Sequence, residues 1–333
     1  MLPEILILAA MRNECQRASQ LLTALEHLNY PLDRLRIVLG DDASDDDTLS
    51  LLTSWAAGRT HVIVVAGESP LGKAERLNTL LAASGSSAPF IAVYDAKHGP
   101  ASDSLWRLAI GMANDNTGCV SGYLEPANAR ASLVSRYAAL ESWVTQLVHH
   151  ESNERQGKSS PSLGGNCLYR REALQQVGGF PAGAFSEDIE VSLAMQALGW
   201  RTRFRREARA TNLVVNSLGA FWRQRLRWNF GLAVAMRKAK GPFSWTRILG
   251  YGDRLLLLAA AGLAIVGWLP WWVPQLYLAA PAAMAAVAIR RAGALSDAPM
   301  VMLATLLLFP VDVAVTASAA LSSWGNRRSV SWR

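Results

Sequence analysis

The stretch Leu35-Arg-Ile-Val-Leu-Gly-Asp-Asp42 decides the fold, because a short apolar run ends here in two acidic residues. Similar apolar runs occupy residues 5–10, 61–65 and 90–94. Helical patterns separate the four runs, at about residues 15–27, 46–56 and 74–84. Strands that are nearly all apolar and alternate with helices are typical of a parallel sheet covered on both faces. The sequence therefore predicts an α/β fold over this part of the chain.

Acidic residues gather where two of these strands end. Asp41-Asp42-Ala-Ser-Asp-Asp-Asp47 follows the second strand, and Tyr94-Asp-Ala-Lys-His98 follows the fourth. Ligands of open α/β sheets bind at this carboxyl edge. The first segment can accept hydrogen bonds from a ribose or a base, or it can cap the following helix through Ser44 or Asp45. Asp95 can hold a divalent cation that bridges two phosphates, or it can be an ordinary turn residue.

Two later segments also carry chemistry. Phe185-Ser-Glu-Asp-Ile-Glu-Val191 opens a helix, and its acid pair can cap that helix or supply a general base at Asp188. Phe221-Trp-Arg-Gln-Arg-Leu-Arg-Trp228 combines cations, an amide and two tryptophans, which suit a diphosphate and a stacked sugar ring. The alternative for the second segment is an amphipathic helix at a membrane surface, and the two roles are compatible.

The last third of the chain is apolar. Residues 255–289 hold no charged side chain, and Pro270 and Pro274 flank a Trp-Trp pair within them. A membrane-spanning helix needs about 20 apolar residues, so this run predicts one span with an interfacial piece, or two short spans. Residues 298–324 are a second candidate, interrupted by Pro310 and Asp312. Eight of the twelve tryptophans lie at or beyond position 222, as an aromatic belt requires, although a buried helical pair is the alternative.

The positive charge is concentrated rather than spread. The chain has 33 Lys and Arg against 26 Asp and Glu, but residues 200–254 alone hold thirteen of the cations and two acids. A basic block just before an apolar run predicts a cytoplasmic membrane face and suits anionic headgroups or a diphosphate. Nucleic acid is disfavoured as a partner, because the block abuts an apolar run and no further polar domain follows it.

The topology and the compartment follow from smaller signals. Arg290-Arg291 and Arg327-Arg328 are both predicted to be cytoplasmic, which three full spans cannot satisfy, whereas a re-entrant segment around Pro310 and Asp312 reconciles them. The first ten residues lack the basic start of a secretory signal. Three distant cysteines favour a reducing compartment. The predicted location is the inner membrane, with the α/β domain on the cytoplasmic side.

The four polar segments occur in an order that resembles the family 2 glycosyltransferases, especially the branch with cellulose, chitin and hyaluronan synthases. That branch carries the motifs D, DxD, (T/S)ED and QxxRW. Here they read Asp42, Asp95-Ala-Lys97, Ser186-Glu-Asp188 and Gln224-Arg-Leu-Arg-Trp228. Arg12-Asn-Glu14, Gly72-Lys73-Ala74 and the segment from Gly164 to Phe180 are also similar. The resemblance covers about residues 4–235 and implies a GT-A fold with a mostly parallel, Rossmann-like sheet.

The resemblance also implies roles for individual residues. Asp188 would deprotonate the acceptor hydroxyl, Glu14 and Asp42 would contact the nucleoside, and Asp95 would reach the metal or the diphosphate. Lys73 would lie near the diphosphate, and the QxxRW segment would hold the pyrophosphate and the acceptor at the membrane. The full set of implied substrate-binding residues is Glu14, Asp42, Lys73, Asp95, Lys97, Glu187, Gln224, Arg225, Arg227 and Trp228.

One departure from the family pattern concerns the metal. The second Asp of DxD is Lys97 here, so a carboxylate that should bind a cation has become a cation. Either Asp95 alone holds Mg²⁺ or Mn²⁺ with the phosphates, or Lys97 neutralises the diphosphate itself, or donor chemistry is impaired. We expect activity with reduced metal dependence, because Asp188 and the QxxRW segment are intact.

These observations predict three regions: a GT-A catalytic domain at 1–220, interfacial basic helices at 221–250, and a membrane anchor at 251–333. The expected reaction is inverting transfer from a nucleotide sugar, with a UDP-sugar favoured, to a growing polysaccharide. Few spans are available to enclose a polysaccharide channel, so the chain would need a second copy or a membrane partner subunit. The alternatives are transfer of a single sugar to a lipid acceptor and a non-catalytic receptor for nucleotide sugars.

Overall fold

The structure is a computed structural model, and it describes residues 2–184, 186–238 and 256–324. The chain forms two compact units. The first comprises Met1–Ala127 and His150–Leu213, and the second comprises Asn128–His149 and Val214–Arg333.

The first unit is built on an eight-stranded sheet. Its strands are β1 (Ile5–Met11), β2 (Leu35–Asp41), β3 (Val62–Ala66), β4 (Phe90–Val93), β5 (His98–Pro100), β6 (Thr117–Pro126), β7 (Cys167–Arg170) and β8 (Arg201–Asn212). They lie in the order β3-β2-β1-β4-β7-β6-β8-β5. The four strands that the sequence predicts, β1 to β4, pair in parallel, and β6 pairs in parallel with β8. The remaining pairs, which involve β7 and β5, are antiparallel. The predicted α/β class with a mostly parallel sheet is confirmed.

Helices cover both faces of this sheet. They are α1 (Cys15–Glu26), α2 (Thr48–Ala56), α3 (Lys73–Ala83), α4 (Ser104–Gly111), α6 (Glu151–Arg155), α7 (Arg171–Gln176) and α8 (Glu187–Ala197). Alternate residues of a strand point to opposite faces. Ile5 and Ile7 of β1 accordingly enter one hydrophobic core with Leu21 of α1, while Leu6 enters the other core with Leu77 of α3. Burial on both faces is the physical reason that β1 is apolar at every position.

The second unit is helical. It contains α5 (Leu133–Trp143), which continues into a π-helical stretch, α9 (Leu218–Lys238), α10 (residues 256–265), α11 (Trp272–Arg291) and α12 (Ala298–Trp324). The long apolar run therefore breaks between residue 265 and Trp272. By length and composition, the described residues contain two helices that could cross a membrane, Trp272–Arg291 and Leu295–Ala319. Residues 239–250 of the predicted interfacial region and residues 251–255 of the predicted membrane anchor lie outside the described residues.

Residues 128–149 belong to the second unit, which the boundaries drawn from sequence did not anticipate. Val134 and Tyr137 of α5 pack in one apolar cluster with Phe221 of α9 and with Ala304 and Leu308 of α12. The cluster unites three segments that are far apart in the chain, so no local pattern reveals it.

The basic block is partly neutralised inside the protein. Arg203, Arg206 and Arg209 of β8 form ion pairs with Glu154, Glu151 and Glu125, respectively. Both partners of each of these three ion pairs belong to the first unit.

Candidate active site

The loops after β1 and β2 are joined to each other at the carboxyl edge of the sheet. The Asn13 amide donates to Ser44 Oγ at 3.0 Å, and the Asp45 amide donates to Asn13 Oδ1 at 2.8 Å. The backbone amide of Glu14 donates to Thr48 Oγ1 at 2.9 Å. The Glu14 carboxylate remains partly exposed, 3.2 Å from the guanidinium of Arg17. The sequence-predicted residue Glu14 therefore stands at the edge where ligands of such sheets bind.

Asp42 organises the loop that leads to α3. Its carboxylate accepts hydrogen bonds from the amides of Leu71 and Gly72, both at 2.9 Å, and from Arg76 Nε at 2.9 Å. Asp42 and Arg76 are both buried. These contacts hold the start of α3, and hence Lys73, against the sheet. Contact between Asp42 and a nucleoside stays a prediction.

Lys73 lies at the centre of the site. Its ammonium is 2.7 Å from Asp95 Oδ1 and 2.9 Å from Glu187 Oε1, and it donates to the Gly164 carbonyl at 2.7 Å. The three side chains come from the start of α3, the loop directly after β4 and the start of α8. We call Lys73, Asp95 and Glu187 the lysine cluster. Three of the residues predicted from separate motifs are thus brought into direct contact.

The charges of the lysine cluster reinforce each other. Burial alone would raise the pKa of Asp95, but Lys73, His98 and Lys97 outweigh it and lower that pKa well below its usual range. Burial would lower the pKa of Lys73, but Asp95 and Glu187 raise it. The cluster therefore holds a permanent cation between two carboxylates, with Lys97 adding a further positive charge near Asp95.

His98 supports Asp95 and was not assigned a role from the sequence. It is fully buried, and its Nδ1 accepts the backbone amide of Asp95 at 3.1 Å, while its Nε2 lies 3.8 Å from Asp95 Oδ2. Burial lowers the pKa of His98 to about 4, so the ring is neutral with its proton on Nε2. A Cβ on Gly165 would lie 2.1 Å from the imidazole, so glycine is required there. The signal in the sequence was the position of His98, three residues after Asp95.

Asp188 lies beside the lysine cluster on the first turn of α8. Burial and the neighbouring charge of Glu187 raise the pKa of Asp188 to about 7, although Lys73 acts in the opposite direction. A Cβ on Gly164, whose φ is +74°, would lie 2.8 Å from Asp188 Oδ2, so the backbone there must be glycine. A carboxylate with a pKa near neutrality can take up a proton from a substrate hydroxyl and release it.

The QxxRW residues lie on α9 in the second unit. Arg227 and Trp228 are exposed, and Gln224 is half-buried. Arg225 is buried and forms ion pairs with Glu141 of α5 and with Asp312 of α12, whose carboxylate is 3.7 Å from Arg225 Nε. Its guanidinium also lies 4.9 Å from the centre of the Phe221 ring and 5.0 Å from that of Trp228. We call Arg225, Glu141 and Asp312 the arginine cluster. Because these contacts fix the Arg225 guanidinium, they also support the Trp228 ring that packs against it.

The residues present fit a divalent cation only if the substrate supplies most of its ligands. In the described part of the chain, no three His, Cys, Asp or Glu side chains are gathered as a metal site. Asp95 and Glu187 share the Lys73 ammonium instead. Mg²⁺ is commonly held by one or two carboxylates together with substrate phosphates, and Asp95 can supply one such carboxylate.

Comparison with known proteins identifies the family of this chain. Residues 90–310 match the family described as glycosyl transferase family group 2. YdaM of Bacillus subtilis (strain 168), a probable glycosyltransferase, is 30% identical over 246 residues, which are 73% of this chain and 58% of that protein. An N-acetylglucosaminyltransferase of Mesorhizobium japonicum is 26% identical over 98% of this chain and 82% of its own length.

A solved structure shares the fold across nearly the whole chain. It is the mannosyltransferase PcManGT from Pyrobaculum calidifontis in complex with GDP-Man and Mn²⁺. The TM-score is 0.64 at 20% identity, covering 98% of this chain and 88% of that one. On the family match, this chain belongs to glycosyl transferase family group 2.

Proposed function

We propose that the protein transfers a sugar from a nucleotide sugar, with a UDP-sugar as the expected donor, to an acceptor at the cytoplasmic membrane face. Family membership supports the reaction class. The observation that carries the proposal is Asp188, a carboxylate with a raised pKa, placed next to the lysine cluster. Lys73 of the cluster would bind the diphosphate of the donor, and Asp188 beside it would act as the base for the acceptor hydroxyl.

The proposed step is a single displacement that inverts the anomeric carbon. The acceptor hydroxyl gives its proton to the Asp188 carboxylate, and its oxygen forms a bond to the anomeric carbon. The bond between that carbon and the diphosphate oxygen breaks, and the nucleoside diphosphate leaves with the electron pair. Lys73 and Lys97 would neutralise the charge that develops on the diphosphate. A divalent cation, when bound through Asp95, would supply further charge neutralisation.

Asp188→Asn tests this assignment. A positioned base typically contributes ~10²–10⁴-fold to the rate, so we expect a loss of that size in kcat. Donor affinity, measured by calorimetry with the nucleotide sugar, should change little, because Asn keeps the shape of the side chain. Unchanged turnover would refute the role of Asp188 as the base. Nucleotide binding without release of nucleoside diphosphate, with any acceptor, would favour the non-catalytic receptor.

A growing polysaccharide is the first candidate acceptor, in keeping with the motif resemblance to polysaccharide synthases. A single lipid acceptor is the second, favoured by a specific observation: only two helices in the described residues are long and apolar enough to cross a membrane. Two helices cannot enclose a polysaccharide channel without a second copy or a partner subunit. Product length on a sizing column separates the two acceptors, and Trp228→Ala should impair acceptor use more than nucleotide affinity.

A further inference from the structure

An asparagine on α3 is bonded to the backbone ahead of the proposed base. Asn78 Nδ2 donates to the Phe180 carbonyl at 2.7 Å, and the Phe180 amide donates to Asn78 Oδ1 at 2.9 Å. A side-chain amide carries both donors and an acceptor, so it can satisfy both backbone polar groups of one residue. Phe180 precedes Asp188 by eight residues in the chain. We call this pair of hydrogen bonds the Asn78 clamp.

The backbone beside Phe180 is shaped to admit the amide. Gly178 and Gly179 have φ values of +82° and +88°, a conformation that favours glycine. A Cβ on Gly179 would also lie 2.8 Å from Asn78 Oδ1. Glycine is therefore required at position 179 both by the backbone conformation and by the clamp.

Buried contacts continue from the clamp to Asp188. The Phe180 ring stands edge-on to the Tyr169 ring, with the ring centres 5.5 Å apart. The Tyr169 hydroxyl lies 2.9 Å from Ser162 Oγ, which donates to the backbone carbonyl of Asp188 at 3.2 Å. The side chains of this row are buried. Packed and hydrogen-bonded groups therefore join Asn78 to the residue proposed as the base.

The start of α8 has a second tether to α3, and that tether is charged. Lys73 Nζ lies 2.9 Å from Glu187 Oε1. In the proposed reaction the ammonium turns to the diphosphate, which weakens its hold on Glu187 when the base is needed. The Asn78 clamp is made of uncharged groups, so the arriving diphosphate does not draw it apart.

We propose that Asn78 is a positioning residue that acts through this row of buried contacts to keep the base, Asp188, in place. It rests on the role proposed above for Asp188, and it gives Asn78 no contact with either substrate. Loss of the clamp should therefore affect the chemical step rather than the binding of the donor. A misplacement of about 1 Å in a reacting group can lower a rate about 10²-fold.

Asn78→Leu tests the proposal, because it removes both hydrogen bonds and nearly keeps the size of the side chain. With the UDP-sugar that the wild type turns over best, we expect kcat of the full chain in detergent to fall ~10–100-fold. The KM for that donor, and the affinity for UDP measured by calorimetry, should change little. This split is the pattern of a group that matters only in the transition state.

Asn128→Leu is the matched control. Asn128 Nδ2 donates to the Val214 carbonyl, and the Val214 amide donates to Asn128 Oδ1, both at 2.8 Å. This variant loses the same two bonds from an equally half-buried asparagine. Its thermal midpoint should fall by a similar amount, whereas its kcat should fall much less than that of Asn78→Leu.

Tyr169→Phe tests the route, because it removes the hydrogen bond to Ser162 and keeps the ring. If Asn78 acts through Tyr169, the two substitutions should not be additive, and the double variant should lose less than the product of the two single losses in kcat. A loss equal to the full product would show that the two residues act independently, and would overturn the proposal.

The remaining outcomes are distinct. A fall in kcat with UDP affinity retained, in Asn78→Leu and not in Asn128→Leu, supports the proposal. Unchanged kcat, equal losses in both variants, or a loss of UDP affinity that accounts for the lost turnover overturns it. If Asn78→Leu does not fold, Asn78→Asp is measured instead, since it keeps the acceptor for the Phe180 amide and loses only the donor; the same split is expected.

Failure of the proposed function gives a different result. Wild-type turnover in Asp188→Asn, or a wild type that turns over no nucleotide sugar, refutes the role of the base and with it the proposal. An inactive Asp188→Asn beside an unimpaired Asn78→Leu refutes the role of Asn78 alone.

Discussion

The two units each place one cation between two carboxylates, but they do so in different surroundings. In the lysine cluster, Lys73 and Asp95 keep 29% and 27% of their side-chain surface exposed. In the arginine cluster, Arg225 and Asp312 keep 9% and 2%. The first arrangement is open to a ligand, and the second is closed by protein.

The difference in residue type follows from the difference in surroundings. Lysine is a compact charge on a flexible stem, and it can exchange one partner for another when a phosphate arrives. Arginine has a planar fork that can contact two carboxylates and two aromatic rings at once. Arg225 uses the whole fork in fixed contacts with Glu141, Asp312, Phe221 and Trp228. The lysine cluster is thus suited to bind substrate, and the arginine cluster is suited to fix the helix that presents Trp228.

Asp312→Ala should give the largest effect on stability. Arg225 keeps Glu141 as a partner in this variant, but it loses the more deeply buried of its two carboxylates. Loss of a hydrogen-bond partner in a buried site typically costs ~1–3 kcal/mol. Tyr137 would also lose its acceptor. We expect a clear drop in the thermal midpoint of the detergent-purified protein, followed by intrinsic fluorescence. Asp103→Ala is the control, because the exposed Asp103–Arg107 pair on α4 contributes at most about 0.5 kcal/mol. Equal midpoints for the two variants would show that the arginine cluster does not fix the second unit.

Lys73→Met should affect the donor rather than the fold. A hydrogen bond to a charged group contributes about 1.5–3 kcal/mol, so loss of the diphosphate contact should raise the KM for the nucleotide sugar ~10–100-fold. The thermal midpoint should move much less than in Asp312→Ala, since Lys73 is partly exposed. Lys158→Met, at an exposed position of the same unit, is the control. A large loss of stability with an unchanged KM would reverse the roles assigned to the two clusters.

Sequence patterns identified the first cluster much better than the second. The apolar runs of β1 to β4 and the acids after them are local signals, and Asp42, Lys73, Asp95, Glu187 and Asp188 follow strands or open helices. The partners of Arg225 are not local. Asp312 looked like an interruption of an apolar helix, and Glu141 carried no motif. Only the packing of α5 and α12 on α9 shows that both acids neutralise Arg225, and the same packing explains why residues 128–149 leave the first unit.

Removal of divalent cations should lower turnover by less than Lys73→Met weakens the binding of the donor. Lys97 and Lys73 already place two cations near Asp95. We therefore expect turnover in EDTA to fall by less than about tenfold, the equivalent of about 1.4 kcal/mol. Lys97→Asp restores a second carboxylate, and its turnover should depend more steeply on added Mn²⁺ than that of the wild type. Complete loss of wild-type turnover in EDTA would show that the lysines do not replace the cation.

The smallest expected effect is on the pH dependence of kcat/KM, which we attribute to Asp188 beside the lysine cluster. Asp188 must be ionised to act as a base, and its pKa is raised to about 7, so kcat/KM should fall as the pH drops below that value. The folded pKa lies above the ordinary value of 3.8, so the folded state binds more protons between those two pH values. The stability from this group is therefore complete below pH 3.8 and is lost as the pH rises through 7.

Glu187→Gln removes one cause of the raised pKa of Asp188 and should move the acid limb of the pH profile to lower pH. Glu141→Gln, in the arginine cluster, should leave that limb in place, because Glu141 is not among the causes of the shift. An identical movement in both variants would mean that the limb reports a property of the whole protein rather than of Asp188.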